Sequence, residues 1–294
     1  MPPKLAGLYP FQPRRFRTPA GAQLSYLDEG PRGAEAVLMV HGNPTWSFYY
    51  RNLVRALSPS VRCIAPDHVG MGLSDKPPGY DYTLAGRIRD LEALVDSLAP
   101  ERVHLVVHDW GGPIGLGVAV RRPDRIASIV IQNTAAFQSD RIPARIAVCR
   151  VPVAGEVLVR GLNGFAGPAA CMAMSSRRLT PDERAGYLFP YGSWASRIGV
   201  WRFVRDIPME AGHESRPALE EVERGLGALA GIPKLILWGG RDFCFDDFFL
   251  KRWRETYPDA RVERLGNAGH YVLEDGGPPA LATACAFIRE NLKP

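Results

Sequence analysis

Five side chains could do chemistry together, although they lie far apart along the chain. The first is Asp109, in Val106-Val107-His108-Asp109-Trp110-Gly111-Gly112. An apolar strand candidate, Val103–His108, ends just before it and a helical pattern begins near Gly112, so Asp109 falls on a strand-to-helix turn. A carboxylate there is already ionised at neutral pH and needs no base before attacking. It can displace a leaving group at saturated carbon and form an alkyl ester on the enzyme. The helix N-terminus adds positive potential. The bland alternative is a helix-capping aspartate; the partners weigh against it. His41-Gly42-Asn43-Pro44 follows a second apolar run, Ala36–Val40. The amide of Asn43 and the indole N–H of Trp110 can donate to a developing anion, and one such donor is typically worth on the order of 10²–10³ in rate. Gly, Asn and Pro would also make an ordinary turn. His270, in Asn267-Ala268-Gly269-His270-Tyr271-Val272-Leu273-Glu274, follows the last strand candidate, Val262–Leu265, whereas His213 sits in a polar loop. Asp242, just past the strand Lys234–Trp238, is the acid expected to orient His270 and stabilise its charged form. Asp246 and Asp247 are weaker choices because they fall in the following helix, and Asp75 reads as structural.

These groups need a scaffold that brings strand ends together. Ala22–Tyr26 alternates like a half-exposed strand. Val61–Asp67, Ile126–Ile131 and the runs named above are short and apolar, as in strands buried on both faces of a parallel sheet. Helical segments are expected between them, at about Ser47–Leu57, Leu84–Leu98, Gly112–Arg121 and Phe245–Tyr257. The alternation predicts an α/β class, a doubly wound, mostly parallel sheet. The rhythm breaks after Phe137. Helices are expected at about Arg141–Leu162, Pro181–Leu188 and Trp194–Arg205, so 139–212 reads as an inserted helical cap on a core formed by 1–138 and 213–294.

Composition narrows the function classes. Hydrophobic residues make up 46% and charged residues 23% of the 294, ordinary values for a globular protein with a substantial core. No apolar run reaches membrane-spanning length, and the N-terminus lacks a signal-peptide pattern. A cytoplasmic protein is expected. The five cysteines (63, 149, 171, 244, 285) form no C-x-x-C pair and read as free thiols. The net charge of +5 comes with 31 arginines and only 5 lysines. No nucleic-acid-binding motif accompanies that surplus, although a weak attraction to anionic membrane surfaces is compatible with it. There is no G-x-G-x-x-G, P-loop or metal-ligand spacing, and the chemistry proposed needs no cofactor.

Taken together, His41–Pro44, His108–Gly112, Asp242 and His270 resemble the haloalkane dehalogenase branch of the α/β-hydrolase fold. In that fold the nucleophile stands on a strained elbow, usually G-x-Nu-x-G, and the order along the chain is nucleophile, acid, histidine. Val107 departs from the pattern at the first glycine. In dehalogenases the residues matching Asn43 and Trp110 hold the departing halide. Some carry their acid where this chain has Asn133, which points to Asp242 as the acid here.

A wider set of stretches is similar to the β-lactone decarboxylases of bacterial long-chain olefin biosynthesis. They are Ser25–Pro31, Pro66–Pro77, Tyr80–Leu84, Asn133–Phe137, Trp201–Pro208, Arg241–Asp246 and His270–Asp275. The resemblance implies conversion of a cis-3,4-dialkyl β-lactone to a cis-olefin and carbon dioxide. It implies a long-chain apolar substrate and assembly with the lactone synthetase and dehydrogenase of the same pathway. Asp109 would attack the ring carbon bearing oxygen or, by a second route, the carbonyl. The aromatic and methionine residues Phe165, Met172, Met174, Tyr187, Phe189, Tyr191, Trp194, Trp201 and Phe203 are candidates for the pocket wall, about a third of them actually lining it. The rivals are a haloalkane dehalogenase; an epoxide hydrolase using Tyr187 and Tyr191, which Val107 and Asn43 count against; and a non-enzymatic binding protein on the same scaffold.

Overall fold

The computed structural model describes residues 3–293. Eight strands form one sheet: β1 (Arg14–Arg17), β2 (Gln23–Glu29), β3 (Glu35–Val40), β4 (Arg62–Pro66), β5 (Arg102–His108), β6 (Ile126–Gln132), β7 (Lys234–Gly239) and β8 (Arg261–Leu265). The order is β1-β2-β4-β3-β5-β6-β7-β8. β1 and β2 are antiparallel to their neighbours, and β3 to β8 pair in parallel. The α/β reading therefore holds. The five strands β3 to β7 bury nearly every residue, which is why most of them read as unbroken apolar runs. The edges differ. β8 is largely exposed and carries Arg261, Glu263 and Arg264, charges that discourage a further strand from pairing there. β1, Arg-Arg-Phe-Arg, escapes sequence reading because it has no apolar run.

The strand order creates the crevice. From β3 the chain goes to β4 on one side, then crosses back to β5 on the other side of β3. The connections leaving the C-terminal ends of β3 and β5 thus diverge, and open α/β sheets bind ligands at such switch points. Val40 pairs with Val107 at this end of the sheet, so His41-Gly42-Asn43 and His108-Asp109-Trp110 emerge side by side.

Between β6 and β7 all regular elements are helical. The single helix expected over Arg141–Leu162 is not formed. Ala144–Cys149 ends, Pro152 and Val153 interrupt, and Ala154–Glu156 then leads into a wider-wound turn, Val157–Gly161. Proline removes a helical hydrogen bond, and Val153 adopts φ +62°, outside helical space. Two further helices, Arg216–Gly225 and Gly277–Glu290, were not expected from sequence. The second begins Gly-Pro-Pro, which reads as a loop, yet proline is tolerated in a first helical turn, where the N–H needs no partner. Arg216–Gly225 packs beside the Gly111–Arg121 helix.

Candidate active site

Asp109 stands at the tip of the β5-to-helix turn with φ +52°. A non-glycine residue pays strain in that region, and the surroundings hold it there. The Asp109 N–H donates to Asn133 O at 3.2 Å, and the Thr134 hydroxyl donates to Asp109 O. Val107 fits in place of the customary glycine because the helix above is cut back. A Cβ at Gly115 would lie 2.7 Å from Val107 Cγ1. Gly42 is needed for a similar reason: a Cβ there would collide with the Asp109 carboxylate.

The carboxylate is buried, with 7% of Asp109 exposed. Its Oδ1 accepts the backbone N–H of Asn43 at 2.6 Å, and the backbone N–H of Trp110 also favours the charged carboxylate. Burial pushes the Asp109 pKa above the ordinary carboxylate value, against the charge of His270 and these two N–H groups. His270 Nε2 lies 3.7 Å from Asp109 Oδ2, and His270 Nδ1 lies 2.7 Å from Asp242 Oδ2. Asp242 Oδ1 accepts the Cys244 N–H at 2.7 Å, so both oxygens are engaged. Burial pushes the His270 pKa down, but the Asp242 and Asp109 carboxylates outweigh it and hold the imidazole above its usual value. Asp246 caps the next helix by accepting the Phe248 N–H, and Asp247 pairs with Arg264. Neither reaches His270. Asp75 accepts the Gln23 N–H at 2.9 Å, a structural contact.

Asn133 does not touch His270 either. Its side chain donates to Gly239 O at 3.1 Å and accepts the Gly239 N–H at 2.8 Å. This clamp fixes the end of β7 three residues before Asp242. Sequence reading also missed the bed under His270. Its ring stacks on Phe245 at 5.8 Å and lies 4.6 Å from that of His108, centroid to centroid. His108 Nε2 donates to His270 O at 2.9 Å.

A second layer ties the His270 loop to the helical segment. Asp275 accepts N–H groups of Gly269 (2.6 Å), Ser175 (2.7 Å), Ser176 (3.0 Å) and Arg177 (3.2 Å), and the Ser176 hydroxyl at 2.6 Å. Burial opposes ionisation of Asp275, but these donors hold its pKa below the usual value. Glu274 is buried beside it, taking Arg51 at 2.6 and 3.0 Å, Arg177 at 2.9 Å and the Tyr187 hydroxyl at 2.8 Å.

Asp109 and Trp110 open into a cavity of about 900 Å³, its mouth included. The wall is mainly apolar: Pro113, Phe137, Ile142, Ile146, Phe165, Val204, Ile207, Leu219, Phe245 and Phe249 contribute. Of the nine residues expected as candidates for that wall, Phe165 alone lines it. Tyr187 is spent on Glu274, and the Tyr191 hydroxyl donates to Thr45 O at 3.3 Å. Both are buried away from Asp109, which removes the pair that an epoxide hydrolase would need. Met172, Phe189 and Trp194 are exposed. No spacing rule would have found this wall: Ile146 is on the buried side of the Ala144–Cys149 helix, but Ile142 lies in the loop before it. Asn43 also lines the cavity. Its Nδ2 donates to Val200 O at 3.1 Å, which commits one of two amide hydrogens and leaves the other for an anion.

Comparison with known proteins agrees with this geometry. Residues 35–147 match the family model of the alpha/beta hydrolase fold. The chain is 46% identical over 290 residues to a cis-3-alkyl-4-alkyloxetan-2-one decarboxylase of Shewanella oneidensis, spanning 97% of this chain and 90% of that protein. It is 42% identical to the one from Xanthomonas campestris, spanning 96% and 98%. The crystal structure of haloalkane dehalogenase DbeA from Bradyrhizobium elkani superposes with a TM-score of 0.85 at 27% identity, covering 95% of this chain and 98% of that one. With a buried aspartate on the elbow, a histidine–aspartate pair beside it and near-complete matches to these enzymes, the chain belongs to the cis-3-alkyl-4-alkyloxetan-2-one decarboxylases, a β-lactone-cleaving family of the α/β-hydrolase fold.

Proposed function

We propose that the protein converts cis-3,4-dialkyl β-lactones to cis-olefins and carbon dioxide, with Asp109 as nucleophile, His270 and Asp242 as its assisting pair, and Asn43 and Trp110 holding the carboxylate that ring opening releases. The observation that carries this reading is the Asp109 carboxylate at the floor of an apolar cavity, with Asn43 and Trp110 beside it, while burial and the neighbouring carboxylates hold the Cys244 thiol on the same wall protonated. The Asn43 N–H holds Oδ1, so Oδ2 is the oxygen that attacks. It forms a C–O bond to the ring carbon bearing oxygen and breaks that carbon's bond to the ring oxygen, releasing a carboxylate. Loss of carbon dioxide then breaks the bond between that carboxylate and the adjacent carbon. Its electrons form the double bond and expel Asp109. Inversion followed by anti elimination carries cis lactone to cis olefin, and no water is consumed. Attack at the carbonyl, giving an enzyme anhydride, is the other route.

His270 in this scheme is a charged partner, positioning or protonating a carboxyl oxygen during ring opening. The two alkyl chains lie along the apolar wall, each buried methylene contributing about 0.8 kcal/mol. Residues 139–212 act as a cap over the core of 1–138 and 213–294. The enzyme works in the cytoplasm beside the lactone synthetase and dehydrogenase of its pathway, an arrangement that spares a poorly soluble intermediate from crossing water.

A haloalkane dehalogenase is the second reading. The intact His270–Asp242 pair favours it, because that pair could activate water against the Asp109 ester. One experiment separates the two: offer a synthetic cis-β-lactone and, separately, a bromoalkane, each beside Asp109→Ala. Alkene from the lactone is the expected product. Alcohol and bromide with no alkene would overturn the decarboxylase.

A further inference from the structure

Among the described residues nine large apolar side chains are conspicuously exposed, and eight of them fall between Val148 and Trp194. This is the same stretch that interrupts the expected long helix. Val153 is 75% and Leu162 74% exposed, with Val148, Val151, Val157 and Trp194 about half so. They adjoin one another. The Val151 N–H donates to Val148 O, Val157 follows Val153 by one turn through Val157 N–H to Val153 O, and the Leu162 N–H reaches Val157 O. A Cβ at Gly161 would lie 3.5 Å from Trp194 and 3.7 Å from Val157, so these side chains meet over Gly161. Patches of this kind on a globular surface mark a docking site more often than accident. Holding a β-branched residue at φ +62°, as at Val153, adds a backbone cost to that of its exposure.

Charge says what the partner is. Residues 139–212 hold ten arginines against six acidic residues, so a net +4 of the chain's +5 sits in a quarter of its length. Arg145 is exposed three residues before Val148, and the Arg160 guanidinium, paired with Glu156, lies 4.4 Å over the Trp194 ring. An apolar strip with a tryptophan, on a segment of net positive charge, is the composition of a surface that inserts shallowly into an anionic bilayer. The strip is also the outer side of a segment whose inner side lines the cavity, through Ile142, Ile146 and Phe165. Arg141 is exposed at that mouth.

We infer that the outer face of this segment, from Val148 to Leu162 with Trp194, docks reversibly on anionic lipid, placing the cavity mouth against the bilayer from which an apolar substrate is drawn. The supply of substrate rests on the proposed function; the docking does not. The test is flotation of the full chain with vesicles of phosphatidylcholine containing phosphatidylglycerol, and with phosphatidylcholine alone. Binding is expected to need the anionic lipid and to fall by roughly tenfold or more in V153D/L162D. Turnover of a short-chain, water-soluble β-lactone should be the same in the variant as in the native chain, since neither residue reaches the cavity. Loss of that turnover in the native chain would count against the proposed reaction while leaving vesicle binding to be judged separately. No flotation of the native chain, or equal flotation of V153D/L162D, overturns the docking. So does concentration-dependent self-association in sedimentation that V153D/L162D abolishes while flotation is absent, because a second copy would then be what covers the strip.

Discussion

The strand ends and the helical segment 139–212, the proposed cap, solve opposite problems. At the strand ends the proposed reacting groups are held by several partners: Asp109 by Asn133, Thr134 and Asn43, His270 by Asp242 and His108, and the Asp242 turn by Asn133. The cap instead offers apolar surface on both sides, with Ile142, Ile146 and Phe165 inward and valines, Leu162 and Trp194 outward. In the proposed reaction the chemistry falls to the strand ends and the selection of an apolar molecule to the helical segment. The difference teaches that rate and chain-length preference should respond to different substitutions.

The largest separation is expected from Asp109→Ala. Turnover of a cis-β-lactone should fall by on the order of 10⁴ or more. A variant retaining even a tenth of the activity would remove Asp109 as nucleophile. Next comes the assisting pair. His270→Ala should cost roughly 10²–10⁴ in kcat, and a near-native rate would end its proposed role. Asp242→Asn carries a sign. The Asp242 charge helps hold the His270 pKa above its ordinary value, so the imidazolium persists to higher pH in the native enzyme. Removing the charge should move the alkaline limb of kcat/KM to lower pH, measured with the lactone; an unmoved limb would mean that His270 is not the titrating group.

Cap substitutions should act more gently and through binding. Ile146→Trp, which fills the cavity, is expected to raise KM for long-chain lactones by about tenfold while leaving short-chain kcat within a few-fold. A uniform loss of kcat instead would break the division of labour. The smallest catalytic effect belongs to Tyr187→Phe. Its hydroxyl serves buried Glu274, so stability should drop by about 1–2 kcal/mol with turnover almost unchanged. A hundredfold loss of turnover would return Tyr187 to the chemistry, as an epoxide-opening enzyme requires.

The same contrast decides what the sequence could reveal. Buried parallel strands read as apolar runs, and the residues following them were identifiable because turn position and residue type coincide at Asp109, Asn43, Asp242 and His270. Asn133 pointed to Asp242 through a resemblance; only the structure gives it a task of its own, closing β7. The cap was less legible. Its broken helices carry apolar residues on two faces, so no single periodicity reports which side is inward. Large aromatics drew attention, although Tyr187 and Tyr191 pack as core and Trp194 faces outward. The modest Ile142/Ile146 pair proved to line the cavity. Phe245 under His270 was invisible for a different reason: ring stacking across a loop leaves no spacing rule.

Asp275 has a mechanical consequence. Its carboxylate staples the Ser175–Arg177 backbone to Gly269, the residue before His270, whereas at the Arg141 end of the cap the ion pair is a solvent-exposed one with Asp246 at 3.3 Å. Exposed pairs hold weakly. A segment fastened this way transmits load unevenly: a displacement near Ile142 and Ile146 meets only a weak tie, while the Gly269 turn that carries the imidazole is stapled at several points.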